Sequence, residues 1–301
     1  MTDAKLREKI YADELGYNNE VTFYARLLKK MDIKILLLAG PSCAGKTTTS
    51  ERLRESLCEN GIETFVLSLD DFYLTRDLVP KTSEGKPDFE SVYALDLPYI
   101  RECFIGLMTG QTVQVPTFDF NLHGRTDVYK EIKLKGNSMC IVEGLHALNP
   151  VISDCATGSD KLFKIYLDSY SDSDKPDATR VIRRLVRDYH YRSSDANRTF
   201  ELWDNVIESE RINIRPFSRY ANATINTYFD YEKAALKAPL IEVLNTLKPD
   251  SIYQKKAEEL RLSMESVNEI PLSYVPTNSL LQEFIPPLEI RDRYTVGEES
   301  T

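Results

Sequence analysis

An α/β fold, with a parallel sheet flanked by helices, is what three features of this 301-residue chain predict. Short apolar runs at 33–39, 64–69, 139–142, 162–167 and, less sharply, 223–225 alternate with amphipathic helical stretches. The first run opens directly into Gly40-Pro41-Ser42-Cys43-Ala44-Gly45-Lys46-Thr47, a complete G-x-x-x-x-G-K-T spacing, with helical sequence following over 48–57. The hydrophobic share of 42% suits one large α/β domain with appendages, or two modest domains.

Ahead of the sheet, residues 1–32 place Leu6, Ile10, Tyr11, Val21, Tyr24, Leu27 and Leu28 at helical spacing, which predicts one or two helices leading into the core. The strand over 33–39 then delivers the chain to the glycine-rich turn. Backbone N–H groups of such a turn wrap a polyphosphate, and the next helix aims its positive end at the same anion. Gly40, Pro41, Ser42, Cys43, Ala44, Gly45, Lys46, Thr47 and Thr48 are therefore the nucleotide-binding candidates. Lys46 would reach the β- and γ-phosphates, and the Thr47 hydroxyl would hold Mg²⁺. A merely structural glycine-rich turn is the weaker alternative, given the strand before it and the helix after it.

The second run ends in Asp70-Asp71-Phe72-Tyr73, which sets two carboxylates at the carboxyl edge where the loop opens. A kinase acting on an alcohol needs a carboxylate to accept the hydroxyl proton as oxygen attacks phosphorus, so Asp70 is the candidate base. A helix cap explains Asp70 or Asp71 equally well, with Asp71 the better cap. Leu97, Ile100, Phe104, Leu107 and Met108 form a helical stripe closed by Gly110. Residues 111–136 read as extended chain and a hairpin that covers the site. Inside it Phe118, His123 and Arg125 lie close together after Pro116, a mixture that could stack on a flat base and read its edge. A lone histidine is more often structural, and His146 and His190 carry even less weight.

The third run leads straight into Glu143-Gly144. An acidic residue there organises Mg²⁺ directly or through water, unless it is an ordinary strand end. Gly144 is expected to leave backbone room beside the nucleotide. Arg180, Arg183, Arg184 and Arg187 fall at i, i+3, i+4 and i+7, and Arg192 follows. Such a stripe is either a solvated basic face or a mobile lid whose forked donors suit a transferring phosphoryl group, and the polyphosphate site favours the lid. Beyond it, 249–270 carries a charged helical pattern, and 271–301 is rich in Pro, Glu and Ser with Leu280, Leu281 and Phe284 as apolar anchors. That predicts a tail packed on the domain and frayed at its end. The divisions are a helical extension over 1–32, a nucleotide-binding domain over 33–245 and a partly irregular tail over 246–301.

A net charge of −9 argues against a nucleic-acid-binding surface as the main business, because such surfaces gain affinity from excess Lys and Arg. Cysteines at 43, 58, 103, 140 and 155 form no C-x-x-C pair and are odd in number, which suggests neither a disulfide framework nor a zinc site. No apolar leader or membrane-length run is visible, so the expectation is a cytoplasmic protein with a small-molecule substrate, no nucleic-acid or membrane partner, and homo-oligomerisation left open.

Taken together these motifs resemble the uridine kinase and phosphoribulokinase family of P-loop kinases, over roughly residues 33–240. Asp70-Asp71-Phe72-Tyr73 is similar to the family's Asp-Ser-Phe-Tyr segment, and Phe89-Glu90 with Ala94 and Asp96 to its Phe-Asp-His-Pro stretch, with Glu90 replacing the acid that binds ribose. Val115 to Phe120, then His123 and Arg125, resembles the base-recognition loop, with Phe118 where Tyr is common. Val142 to His146 resembles the Glu-Gly strand end, and Arg183 to Asp188 with Arg192 resembles the lid. A closer likeness, to bacterial nucleoside or uridine kinases that in some cases carry an N-terminal synthetase-like domain, rests on 88–91, 143–150 and 276–285. With only 32 residues ahead of the first apolar run, that extra domain is not expected here. Ser193 and Ser194 stand where the lid usually continues Gly-Arg.

The resemblance implies a P-loop fold with a small hairpin subdomain and an Arg-rich lid helix. It also implies an ATP- or GTP-dependent, Mg²⁺-dependent kinase that phosphorylates the 5′-hydroxyl of a nucleoside, uridine or cytidine first. Asp70, Lys46, Arg187 and Arg192 would be catalytic, and Arg184 would serve both nucleotide and substrate. Asp70, Tyr73, Phe89, Glu90, Phe118, His123 and Arg125 would face the acceptor, and Thr47, Asp70 and Glu143 the metal. The competing expectations are a kinase of another small alcohol, such as a sugar phosphate, pantothenate or glycerate, and a nucleotide-sensing binding module.

Overall fold

The computed structural model describes residues 3–82, 85–119, 124–156, 160–171 and 178–294. The first helix, α1 (Asp3–Lys30), is continuous, and its buried Ile10, Glu14, Tyr17, Val21, Ala25 and Leu28 recur every three or four residues, so one apolar stripe serves its whole length. Strand β1 (Ile35–Ala39) follows, and the loop after it leads into α2 (Lys46–Glu59), which starts two residues earlier than its apolar pattern suggests. Next come β2 (Glu63–Ser68), a 3₁₀ turn at 69–72 and α3 (Leu97–Met108). Asp96 caps α3 by accepting the Tyr99 N–H, which satisfies one of the open donors of its first turn.

A separate antiparallel pair, β3 (Val113–Asp119) and β4 (Gly124–Ile132), makes the expected hairpin. The chain then returns through β5 (Ser138–Glu143), the short α4 (Pro150–Ser153), β6 (Leu162–Asp168), α5 (Ala178–Tyr191) and α6 (Ala196–Asn213). It ends with β7 (Ala223–Asn226), α7 (Glu232–Leu244), α8 (Gln254–Met264) and three 3₁₀ turns at 272–274, 280–283 and 288–294.

The main sheet runs β2-β5-β1-β6-β7, and every pairing in it is parallel. A parallel sheet needs crossovers on its faces, so both faces are buried and its central strands are apolar throughout. In β1 the alternation divides cleanly: Leu36 and Leu38 join α1, α2, α5 and α7 on one face, while Ile35, Leu37 and Ala39 join α3 and the hairpin on the other. The first of these cores also takes in Met264, Ile270, Leu272, Val275, Leu280, Leu281, Phe284 and Ile285. The N-terminal helix and the C-terminal segment up to Tyr294 therefore share one core with the nucleotide-binding sheet. Among the described residues, no helix is long and apolar enough to cross a membrane.

Candidate active site

Strand register brings the first carboxylate to its place. Glu143 pairs with Leu38 of β1 on one side and with Ser68 of β2 on the other, so it sits at the carboxyl edge beside the start of the loop. Ser68 Oγ donates to Glu143 Oε1 at 2.6 Å and itself accepts the Asp70 N–H at 3.3 Å. One hydroxyl thus ties the end of β2 to the end of β5 and aims Asp70 at the same edge. Gly144 makes this close approach feasible: an added Cβ would lie 2.7 Å from Leu69 Cβ. Its missing side chain makes room for Leu69 rather than for a nucleotide, which corrects the expectation from sequence.

The loop itself is held from beneath. Cys43 (φ 62°) and Gly45 (φ 78°) both adopt left-handed backbone, and Gly45 is the N-cap of α2. For cysteine this conformation is costly and needs external support. Arg180 Nη1 donates to the Ser42 carbonyl at 2.8 Å while Glu210 accepts the Ser42 N–H at 2.8 Å, and the two side chains pair bidentately at 2.9 and 2.8 Å. Arg183 Nη1 donates to the Cys43 carbonyl at 3.1 Å and pairs with Glu232, and Thr227 Oγ1 donates to the Ala44 carbonyl at 2.9 Å. Arg180, Arg183, Glu210 and Glu232 are all fully buried. Lys46 Nζ closes the loop from above, with 3.0 Å bonds to the carbonyls of Gly40 and Pro41.

The arginine stripe is therefore no solvated basic face. All of α5 from Thr179 to Asp188 is buried, and two of its arginines are enclosed ion-pair members under the loop. The remaining three gather around one carboxylate: Arg184, Arg187 and Arg192 approach Asp188 at 3.2, 2.8 and 3.7 Å. Arg184 Nη1 also donates to Ser42 Oγ at 3.1 Å, which keeps it at the loop. After α5 the chain turns through Ser193 at φ 51°, in the left-handed region that glycine favours, and the N–H groups of Arg192 and Ser194 both donate to the Asp188 carbonyl.

Among the residues expected from sequence to face an acceptor, the Tyr73 ring lies between Phe89 and Phe118, with centroids 6.0 and 5.8 Å away, and its hydroxyl donates to the Phe89 carbonyl at 3.1 Å. Asp71 accepts the Phe118 N–H at 3.2 Å, so this carboxylate anchors the hairpin and caps no helix. Arg125 is engaged too. It donates to Asp96 Oδ2 and to the Phe72 carbonyl, each at 3.0 Å, and so clamps β4 to the start of α3. His123 lies outside the described residues.

Electrostatics link these groups. Burial raises the proton affinity of Asp70, opposed by the charges of Lys46 and then Arg192, with Asp71 adding to the rise. Burial likewise raises Glu90, against Arg184, with Glu210, Asp88 and Asp70 adding repulsion. Glu143 is pushed up to about 7 by burial first and by the Asp70 charge second, although the Ser68 hydrogen bond and Lys46 lower it. Two neighbouring carboxylates, both driven toward the neutral acid, are the environment that a divalent cation relieves. Thr47 is exposed one residue past Lys46, with oxygen chemistry that suits the same ion. Among the described residues no group of three or more His, Cys, Asp or Glu could cage a metal.

Pattern reading missed Ser68, Asp188, Glu210, Thr227 and Glu232. Ser68, Glu210, Thr227 and Glu232 meet partners 30 to 183 residues away in the sequence, and Asp188 sits among arginines whose convergence on it only the folded chain shows.

Residues 35–232 match the phosphoribulokinase / uridine kinase family. Uridine kinases of Macrococcus caseolyticus and of Staphylococcus aureus strain JH9 are each 28% identical over 193 residues, which covers 64% of this chain and 86% of theirs. Among solved structures, a D-glycerate 3-kinase from Cryptococcus neoformans superposes with a TM-score of 0.50 at 13% identity, over 70% of this chain and 94% of its own, a likeness of fold alone. The family match reaches well past the loop, from β1 through the first residue of α7, and takes in both strand-end carboxylates and the arginine helix. This chain accordingly belongs to the phosphoribulokinase / uridine kinase family, as a P-loop phosphotransferase acting on a hydroxyl group.

Proposed function

We propose that the protein transfers the γ-phosphate of ATP or GTP to the 5′-hydroxyl of a nucleoside, uridine or cytidine before others, in the cytoplasm. The observation that carries this is the position of Asp70, within electrostatic reach of Lys46 on the donor side and of Glu90 on the acceptor side. The 28% identity to uridine kinases supports the choice of acceptor.

In this mechanism Lys46 leaves the carbonyls of Gly40 and Pro41 for the β- and γ-phosphates, which the loop N–H groups also bind. Asp70 accepts the proton of the attacking hydroxyl, and its raised proton affinity makes it a better base than an exposed aspartate. Thr47 and Glu143, with Asp70, would hold Mg²⁺, which when bound neutralises charge on the phosphates. Arg184, bonded to Ser42 of the loop, and Arg187 and Arg192, gathered with it around Asp188, would meet charge on the phosphoryl group in flight. Glu90 would take ribose hydroxyls, beside the aromatic group of Tyr73, Phe89 and Phe118.

Asp70→Asn should lower turnover by about 10²- to 10⁴-fold while ATP binding persists. Near-normal turnover would remove Asp70 from the mechanism. The acceptor is tested by ADP release from ATP and Mg²⁺ across nucleosides and small hydroxylated metabolites. One observation favours another small alcohol as acceptor: Arg125, expected to read the edge of a base, is committed to Asp96 and Phe72. Phosphorylation of such an alcohol and of no nucleoside would establish that alternative.

A further inference from the structure

The family match ends at residue 232, yet a segment some fifty residues later runs against the phosphate-binding loop. Leu280 packs directly on Gly45: a Cβ added to this glycine would lie 2.6 Å from Leu280 Cδ1. Three residues on, Glu283 Oε2 accepts a 2.8 Å hydrogen bond from Thr48 Oγ1, in the first turn of α2. The segment is firmly seated. Leu280, Leu281, Phe284 and Ile285 are fully buried, and Tyr191 Oη donates to the Ile285 carbonyl at 2.9 Å. Glu283 also acts at a distance, since its charge raises the proton affinity of both Glu143 and Arg187.

We propose that Glu283 is a positioning residue of the nucleotide site, contributed by a C-terminal segment outside the family match. Through Thr48 it fixes the first turn of α2, while Leu280 braces Gly45, so that the loop N–H groups and Thr47 are already oriented when a Mg²⁺-bound triphosphate arrives. The first turn of a P-loop helix is where unpaired N–H groups meet phosphate, so a small rotation there loses several hydrogen bonds at once. A carboxylate acceptor makes this brace stronger than a neutral one would. The inference rests on the phosphate-donor half of the proposed function and is independent of the acceptor.

The test is calorimetric titration of the full chain with the β,γ-imido analogue of ATP plus Mg²⁺, without any acceptor, well below each variant's melting temperature. Glu283→Ala and Thr48→Val should each weaken binding about tenfold, the double variant no further, because one contact is removed in all three. Glu283→Gln keeps an oxygen acceptor and should stay within about threefold of the parent chain. Tyr191→Phe, which removes a tail contact remote from Thr48, should lower the melting temperature and leave affinity unchanged. Less than a twofold effect of Glu283→Ala overturns the proposal. So does an equal loss in Tyr191→Phe, which would mean general loosening of the tail, or in Glu283→Gln, which would mean charge rather than the bond to Thr48. A parent chain that binds the analogue yet phosphorylates no nucleoside would sink the nucleoside acceptor and leave this inference standing.

Discussion

Arg180→Met should destabilise the protein far more than loss of an ordinary salt bridge, because it strands a carboxylate instead of merely deleting a contact. Arg180 and Glu210 are both at 0% exposure. The guanidinium supplies Glu210 with bonds of 2.9 and 2.8 Å and the Ser42 carbonyl with one of 2.8 Å. An exposed pair contributes at most about 1 kcal/mol, but removing one member of a buried pair costs about 3–5 kcal/mol. For a chain of this size that corresponds to about 5–8 °C in melting temperature. Converting the partner as well, in Arg180→Met/Glu210→Leu, removes the stranded charge and should restore at least half of the loss. Restoration stays incomplete because Ser42 then lacks partners for both its N–H and its carbonyl. Urea unfolding followed by circular dichroism measures this, with the fluorescence of Trp203, the only tryptophan, as a second probe. A cost below about 1 kcal/mol for the single variant would refute the reasoning, as would a double variant less stable than the single one.

Stability should also depend on pH through His146, which is buried. Burial, with a smaller contribution from the Lys46 charge, pushes it down to about 4, although the nearby backbones of Asn213 and Glu90 act the other way. Its contribution is fully present above about pH 6.5 and is lost as pH falls toward 4, by about 3 kcal/mol in all, and His146→Phe should flatten that slope of the urea midpoint. Ser193→Gly should raise stability by about 0.5 kcal/mol, since glycine tolerates φ 51° without the left-handed penalty, and a loss above about 1 kcal/mol would contradict this. Gly144→Ala should cost about 1–3 kcal/mol by thrusting a methyl group against Leu69, and turnover should fall with it because Asp70 follows Leu69 directly; wild-type kinetics would show that the two strand ends are not packed as described.

Much of the fold was legible because its signals are local. Apolar runs marked the strands to within a residue or two: the run at 64–69 became β2 at 63–68, with Leu69 passing into the 3₁₀ turn. The stripe from Leu97 to Met108 became α3 with those bounds, and the hairpin formed within 111–136. The arginines show where local pattern runs out. Helical spacing groups Arg180, Arg183, Arg184 and Arg187 on one face, and that face does turn toward the loop. Spacing could not reveal that Glu210 and Glu232 would meet the first two, 30 and 49 residues away along the chain.

Alone, the sequence determined the phosphate-binding loop, because that chemistry is built from consecutive backbone N–H groups, one lysine and one threonine hydroxyl. It also set the carboxylates at the ends of two strands, since the ends of apolar runs are visible in one dimension. Tertiary structure alone decided how those pieces are held. Ser68 meets Glu143 only through the β2–β5 register, Arg125 pairs with Asp96, and Glu283 accepts a hydrogen bond from Thr48, 235 residues away. The physical reason is that each of these is a single long-range polar contact. Such contacts leave no periodicity, and only packing selects which partner satisfies them.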